Sequence, residues 1–233
     1  MEVLADIPFQ LDTDALLASL RIDPGGERAG EIRELADAVR PVLRPKALYD
    51  VCYVEERSED SVVLGGVRFT SRVLRVNLEE AERVFPYVVT CGREVVEAAP
   101  ATDDGLLRYA LDRIMEQALR AARGAFVGHV AERYRPGPTS AMSPGSLADW
   151  PMAEQRQLFA LFGDVKGRIG VELTDSLLMV PIKSVSGILF PTEVRFESCQ
   201  LCDREGCPGR RAPYEPRLWK SRYGRPSPSR SSQ

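Results

Sequence analysis

The stretch "RPGPTSAMSPG", Arg135–Gly145, together with "SVSGILF" at Ser184–Phe190, decides how this chain is read. The first piece holds three prolines, two glycines and three hydroxyl residues behind one cation. Proline removes an N–H donor and pushes its predecessor out of the α region, so the spacing predicts an irregular, stiffened loop. Such a loop presents its remaining N–H and C=O groups in fixed directions, as a small-ligand pocket requires. Arg135 stands at its entrance, where a planar guanidinium can grip a carboxylate. A rigid surface connection with a solvated arginine has the same composition. In the second piece, Ser184, Ser186 and Gly187 open an apolar strand with small residues that let a flat ligand or another backbone come close; a plain strand-end turn is the alternative.

Outward from these pieces the pattern alternates between helix and strand. "DTDALLASL" and "ERAGEIRELADAVRPVL" read as helices, the first with an aspartate cap. "KALYDVCYVEE" reads as a strand, and "SVVLGGVRFTS" as another with a glycine kink. Asn77 is placed to cap "LEEAERVF", and "YVVTCG" is a buried strand. A long helix begins at Asp103-Asp104 and runs to about Tyr134, its apolar stripe passing through Leu107, Leu111, Ile114, Ala118, Ala121, Ala125 and His129. "WPMAEQRQLFALFGDV" resumes as helix, and "IGVELTDSLLMVP", "SVSGILF" and "TEVRFESC" as strands. Long helices between strand groups, without a regular βαβ beat, predict an α+β fold with a twisted, largely antiparallel or mixed sheet. One unit is expected over residues 1–215: an N-terminal portion 1–100, a ligand-binding portion 101–198 and a Cys-rich segment 199–215. A disordered tail is expected over 216–233, where Arg, Ser and Pro dominate.

Composition excludes several functions. Acidic residues outnumber Lys and Arg 34 to 31, which argues against nucleic acid as a partner. No apolar run approaches the ~20 residues of a membrane span, and the N-terminus has no signal-peptide pattern, so a cytoplasmic protein is expected. A single histidine, His129, disfavours Ser-His-Asp hydrolases and His-rich zinc enzymes, and its place on the apolar stripe suits a hydrogen-bonded boundary residue. Cys91, in "TCGRE", reads as a buried small residue rather than a nucleophile. "CQLCDREGC" supplies Cys199, Cys202 and Cys207, three candidate ligands for zinc or an iron–sulfur cluster; free thiols or a redox pair are the alternative.

The order of these segments resembles the S-adenosylmethionine-binding activation domain of cobalamin-dependent methionine synthase, and more closely its stand-alone relatives. The resemblance is sharpest from about Leu111 to Phe196, and "FPYVVTCG" extends it upstream. It rests on R-P-x-P followed by G-x-x-L-T-x-S-x-x-M-x-P-x-x-S-V-S-G, which here ends at Gly187. The resemblance implies an S-adenosylmethionine-binding protein that docks on a separate cobalamin-binding methionine synthase or other corrinoid protein. There it would support reductive methylation of cob(II)alamin, with the electron coming from a donor protein. By position it assigns Arg135 to the ligand's carboxylate and Gly137 and Thr139 to its adenine and sulfonium ends. Glu116 falls to its ammonium or ribose, and Phe196 to the family's last-strand aromatic; Ser186 and Gly187 lie in the shared motif. Asp6 is the candidate for an N-terminal ligand-binding aspartate. The family's G-Y-P-A-C-P-x-H continuation is absent: Ser140 stands at the tyrosine's position, and the cysteine and histidine are missing too.

Overall fold

The computed structural model describes residues 1–5 and 7–224; Asp6 and the tail from residue 225 lie outside the described residues. In chain order the strands are β1 (Glu2–Leu4), β2 (Lys46–Tyr49), β3 (Cys52–Arg57), β4 (Ser61–Leu64), β5 (Val67–Thr70), β6 (Arg83–Thr90), β7 (Thr139–Met142), β8 (Glu172–Leu173), β9 (Met179–Val180) and β10 (Ser184–Pro191). The helices are α1 (Thr13–Leu20), α2 (Glu27–Val39), α3 (Arg72–Asn77), α4 (Glu94–Ala98), α5 (Gly105–Tyr134), α6 (Gln155–Phe162), α7 (Val165–Ile169) and α8 (Arg217–Ser221). This is the expected α+β class, and the pairs β3/β4, β4/β5, β3/β6, β7/β10 and β8/β9 are all antiparallel. Among the described residues no helix is long and apolar enough to cross a membrane.

The described chain divides into two compact units. The first takes Met1–Leu48, Val88–Arg133 and Asp164–Val185; the second takes Tyr49–Tyr87, Tyr134–Gly163 and the chain from Ser186 onward. Most of the boundaries fall inside β2, β6, β10 and the last turn of α5. No linker composition marks them, because regular elements carry the chain from one unit into the other.

In the first unit, α1 and α2 pack with one end of α5. Asp12 caps α1 by accepting from the Ala15 amide at 2.8 Å, and Asp104 caps α5 through the Leu106 and Leu107 amides at 2.8 and 3.0 Å. Leu16, Leu17, Ile32, Ala36, Val39 and Ile114 are fully buried there. The stripe along α5 departs from expectation. Its buried residues are Ala110, Ile114, Ala118, Ala122, Phe126 and Val130, each four after the last, so Ala121, Ala125 and His129 sit beside the buried line. Steps of four advance about 40° around a helix with 3.6 residues per turn, so the buried line winds around α5.

In the second unit, β6, β3, β4 and β5 follow one another through the pairings above. The expected glycine kink is a hairpin turn: Gly65 and Gly66, at φ +54° and +76°, join β4 to β5. Two positive-φ residues are what a two-residue turn matching the strand twist requires. Asn77 ends α3 instead of capping a helix; Ser71 is that cap, through the Leu74 amide at 3.0 Å. "TEVRFESC" forms no strand and closes in a 3₁₀ turn at Ser198–Gln200. The tail also differs from expectation as far as it is described. α8 forms at Arg217–Ser221, with Trp219 4% and Tyr223 0% exposed. Two large aromatics offset the ordering cost that an Arg-Ser-Pro composition alone could not.

Candidate functional site

The proline-rich loop and the serine-glycine strand do meet. Residues expected to be wholly irregular form β7, which pairs with β10 through Thr139↔Pro191, Ser140↔Phe190, Ala141↔Leu189 and Met142↔Ile188. The four residues Thr-Ser-Ala-Met contain no proline, so an adjacent strand can pair with them. Pro136 and Pro138 stay outside the ladder, where the Thr192 N–H donates to the Pro138 carbonyl at 2.9 Å.

The pairing leaves space at one end and fills the other. At the filled end, a Cβ on Gly187 would lie 2.4 Å from the Met142 carbonyl oxygen, 2.8 Å from Ser143 Oγ and 3.0 Å from the Tyr87 hydroxyl. Gly187 therefore serves the close approach of backbone to backbone, and Ser186 beside it is 3% exposed. Phe196 is likewise interior, 2% exposed, with its ring edge-on to Tyr223 at 6.3 Å. Ser140 is 5% exposed and its hydroxyl accepts from the Phe196 amide at 2.8 Å, so it is committed inside the unit.

At the open end, two adjoining cavities share Glu80, Pro136 and Pro191. One, of about 540 Å³, is also bordered by Tyr53, Glu82, Arg83 and Arg135. The other, of about 710 Å³, is bordered by the end of α3 (Val76, Asn77), Pro138, Thr192–Val194 and Arg222. Both volumes fall in the range of small-molecule sites, about 300–1,000 Å³. Arg135 occupies the lip. It is exposed, has φ +47°, and makes no ion pair or side-chain hydrogen bond among the described residues. A non-glycine residue held in the left-handed region costs about 1–2 kcal/mol, which marks the position as strained. Arg83 anchors the helix end behind it. Its Nη2 donates to the Tyr134 carbonyl at 3.1 Å, and its guanidinium lies 5.6 and 5.4 Å from the Phe85 and Tyr134 ring centres. Gly137, at φ +76°, has open space on its Cβ side, and Thr139 is half-buried in the ladder.

Glu116 belongs to the first unit, on α5. Arg113 and Arg120 take its two carboxylate oxygens, the latter at 2.6 Å. Burial works to raise its carboxyl, but those cations outweigh it and hold the group below its ordinary value. Tyr53, Glu80, Glu82, Arg83 and Thr192 escaped the sequence reading because they look like ordinary exposed residues. The one available signal was Tyr53, a large aromatic on the outward register of β3 and 63% exposed.

Among the cysteines, burial pushes the Cys52 and Cys91 thiols up to about 12 and about 11, as inert interior residues. Cys199 behaves differently: burial tends to raise it, but the Arg211 and Ala212 amides and the Arg211 charge prevail and hold it below its ordinary value. Among the described residues no three His, Cys, Asp or Glu side chains gather as metal ligands.

Residues 131–205, about a third of the chain, match the family model described as vitamin B12 dependent methionine synthase, activation domain. No curated protein matches. Among solved structures, 13 chains match. One is a crystal structure of the MetH reactivation domain bound to AdoHcy, 17% identical over 78% of this chain and 71% of that chain, with a TM-score of 0.56. That likeness speaks for a shared fold, and the family match covers the loop, β7, β10 and the cysteine turn. Through residues 131–205 the chain is similar to the vitamin B12 dependent methionine synthase activation domain family.

Proposed function

We propose that this chain binds S-adenosylmethionine in the groove beneath Arg135 and supports the reductive methylation of cob(II)alamin on a separate corrinoid protein, in methionine synthesis. The observation that carries the reading is Arg135 itself: an exposed, strained guanidinium without a partner among the described residues, contributed by the family-matched segment to the mouth of a groove. The groove suits a zwitterionic nucleoside. Arg135 can take the carboxylate through its planar fork, and Glu80 and Glu82 border the same cavity for the ammonium. Pro136, Pro138, Pro191 and Val194 offer apolar walls for the nucleoside, with Thr192 and Asn77 as polar groups among them.

When bound, S-adenosylmethionine supplies the methyl group that traps reduced cobalt. The chain's own residues bind and orient that donor, and the electron comes from an external donor protein. Gly137 gives the loop open room on its Cβ side for a ligand to approach the backbone. Because Ser140 is turned inward, contact with the corrinoid falls to groups other than the one at the family's tyrosine position.

Isothermal titration with S-adenosylmethionine, and separately with S-adenosylhomocysteine, tests the binding half. Saturable one-to-one heat is expected, and no binding with or without a corrinoid protein would reject it. The second half is tested by methylcobalamin formation in a mixture of this chain, a cobalamin-loaded methionine synthase and a one-electron reductant. Formation of methylcobalamin at the same rate when this chain is left out would reject that half.

A further inference from the structure

The cysteine turn takes no part in the groove, and its geometry carries a chemistry of its own. The Gln200 amide donates to the Glu197 carbonyl at 2.9 Å, Leu201 to Ser198 at 3.1 Å and Cys202 to Cys199 at 3.3 Å. Three consecutive bonds of this kind make a 3₁₀ run, in which side chains three residues apart eclipse one another. Cys199 and Cys202 are the two ends of the last of these turns, three residues apart. A closed turn brings its end Cα atoms within about 7 Å, and a disulfide spans about 4.4–6.8 Å. Both side chains are half-exposed, whereas Cys52 and Cys91 are buried.

The surroundings favour a thiolate at Cys199. The Arg211 amide donates to its Sγ at 3.4 Å, and the Arg211 guanidinium is steadied by Glu197 at 3.1 Å. Arg210 closes the segment from the other side, donating to the carbonyls of Cys199 at 3.0 Å, Cys202 at 3.2 Å and Ala212 at 3.3 Å, and to that of Arg204. This clamp holds the carbonyls of both cysteines to one guanidinium. Cys207 starts a separate turn, with the Arg210 amide donating to its carbonyl at 3.2 Å.

We propose that Cys199 and Cys202 form a redox-active dithiol that closes reversibly to an intrachain disulfide by exchange with low-molecular-weight disulfides. The Cys199 thiolate attacks one sulfur of the disulfide RS–SR, forming a mixed disulfide and releasing one RS⁻. The Cys202 thiolate then attacks the Cys199 sulfur, releasing the second RS⁻ and closing the Cys199–Cys202 bond. Two protein thiols lose two electrons and two protons in all, and RSSR becomes two RSH. The lowered Cys199 thiol accords with its role as attacking group, and the cations nearby stabilise its ionised form.

The test uses the full chain equilibrated in glutathione buffers of graded redox ratio, acid-quenched, alkylated and mapped by peptide mass. A single Cys199–Cys202 disulfide is expected in oxidising buffer, fully reversed in reducing buffer. Under reducing conditions near neutral pH, Cys199 is expected to alkylate at least about tenfold faster than buried Cys52 and Cys91. Cys202→Ser is expected to stop at a glutathione adduct on Cys199, and Cys207→Ser to behave as the parent. The proposal is overturned if oxidising buffer leaves all thiols free, if Cys207 pairs in place of either partner, or if the purified chain holds stoichiometric zinc or iron released by a thiol-specific reagent.

Discussion

Replacing Arg135 separates its binding role from its structural one. A charge-assisted contact from a guanidinium to a carboxylate contributes about 1.5–3 kcal/mol. Arg135 is exposed, so solvent screening places it toward the low end, about 1.5–2 kcal/mol. Arg135→Ala should therefore raise the Kd for S-adenosylmethionine about 10- to 30-fold by calorimetry, less at high salt. Arg135→Lys should fall between, since an ammonium keeps the charge but not the bidentate fork. Arg135→Gly makes the argument sharper. Glycine relieves about 1–2 kcal/mol of left-handed strain at φ +47° and gives back about 0.4–1 kcal/mol through a freer unfolded chain. This variant should lose as much affinity as the alanine variant while unfolding in urea at an equal or higher midpoint, a gain of up to about 1.6 kcal/mol. An affinity change under about threefold, some 0.6 kcal/mol, would refute the assignment. A glycine variant clearly less stable than the parent would refute the claim that strain is stored at the lip.

Gly187→Ala should destabilise by about 1–3 kcal/mol in urea unfolding, because its Cβ would meet backbone at 2.4 Å that cannot rotate away; a neutral result would sink the packing account. Trp219→Ala should cost about 3–5 kcal/mol, measured as a fall in thermal midpoint, whereas a disordered residue at that position would cost nothing. Tyr223 donates its hydroxyl to Asn77 Oδ1 at 3.0 Å, and burial pushes its pKa from 10.0 up to about 12. The folded state holds the phenol neutral, so this stabilisation is complete below pH 10 and is lost as pH rises from 10 to about 12. Tyr223→Phe should flatten stability across that window and cost about 1–2 kcal/mol at neutral pH by leaving Asn77 without its donor; an unchanged alkaline profile would contradict it.

Much of the secondary structure was legible before any coordinates, for local reasons. The cap at Asp12, the start of α5 beside Asp104, the helix α2 and the buried strand at β6 follow from side chains acting on their own neighbours. The family motif and Arg135 were also legible, since they are contiguous strings. What misled was every feature needing a distant partner. Gly65-Gly66 reads equally as a kink or a turn until β4 finds β5. Phe196 and Gly187 sit in motif positions that look ligand-facing, yet one fills the core and the other admits a carbonyl oxygen.

The amino-acid string by itself determined the α+β class, the Asp12 helix cap, the stiffness of the Arg-Pro-Gly-Pro lip and the spacing of Cys199 to Cys202, because each depends on atoms within a few residues of chain. Only the tertiary structure decided where the groove opens. Tyr53, Glu80, Arg135 and Thr192 are separated by long stretches of sequence, and it is the pairing of β7 with β10 beside the end of α3 that sets them around two adjoining cavities. Pairing between distant strands depends on which faces can be buried together, and no local window of sequence contains that information.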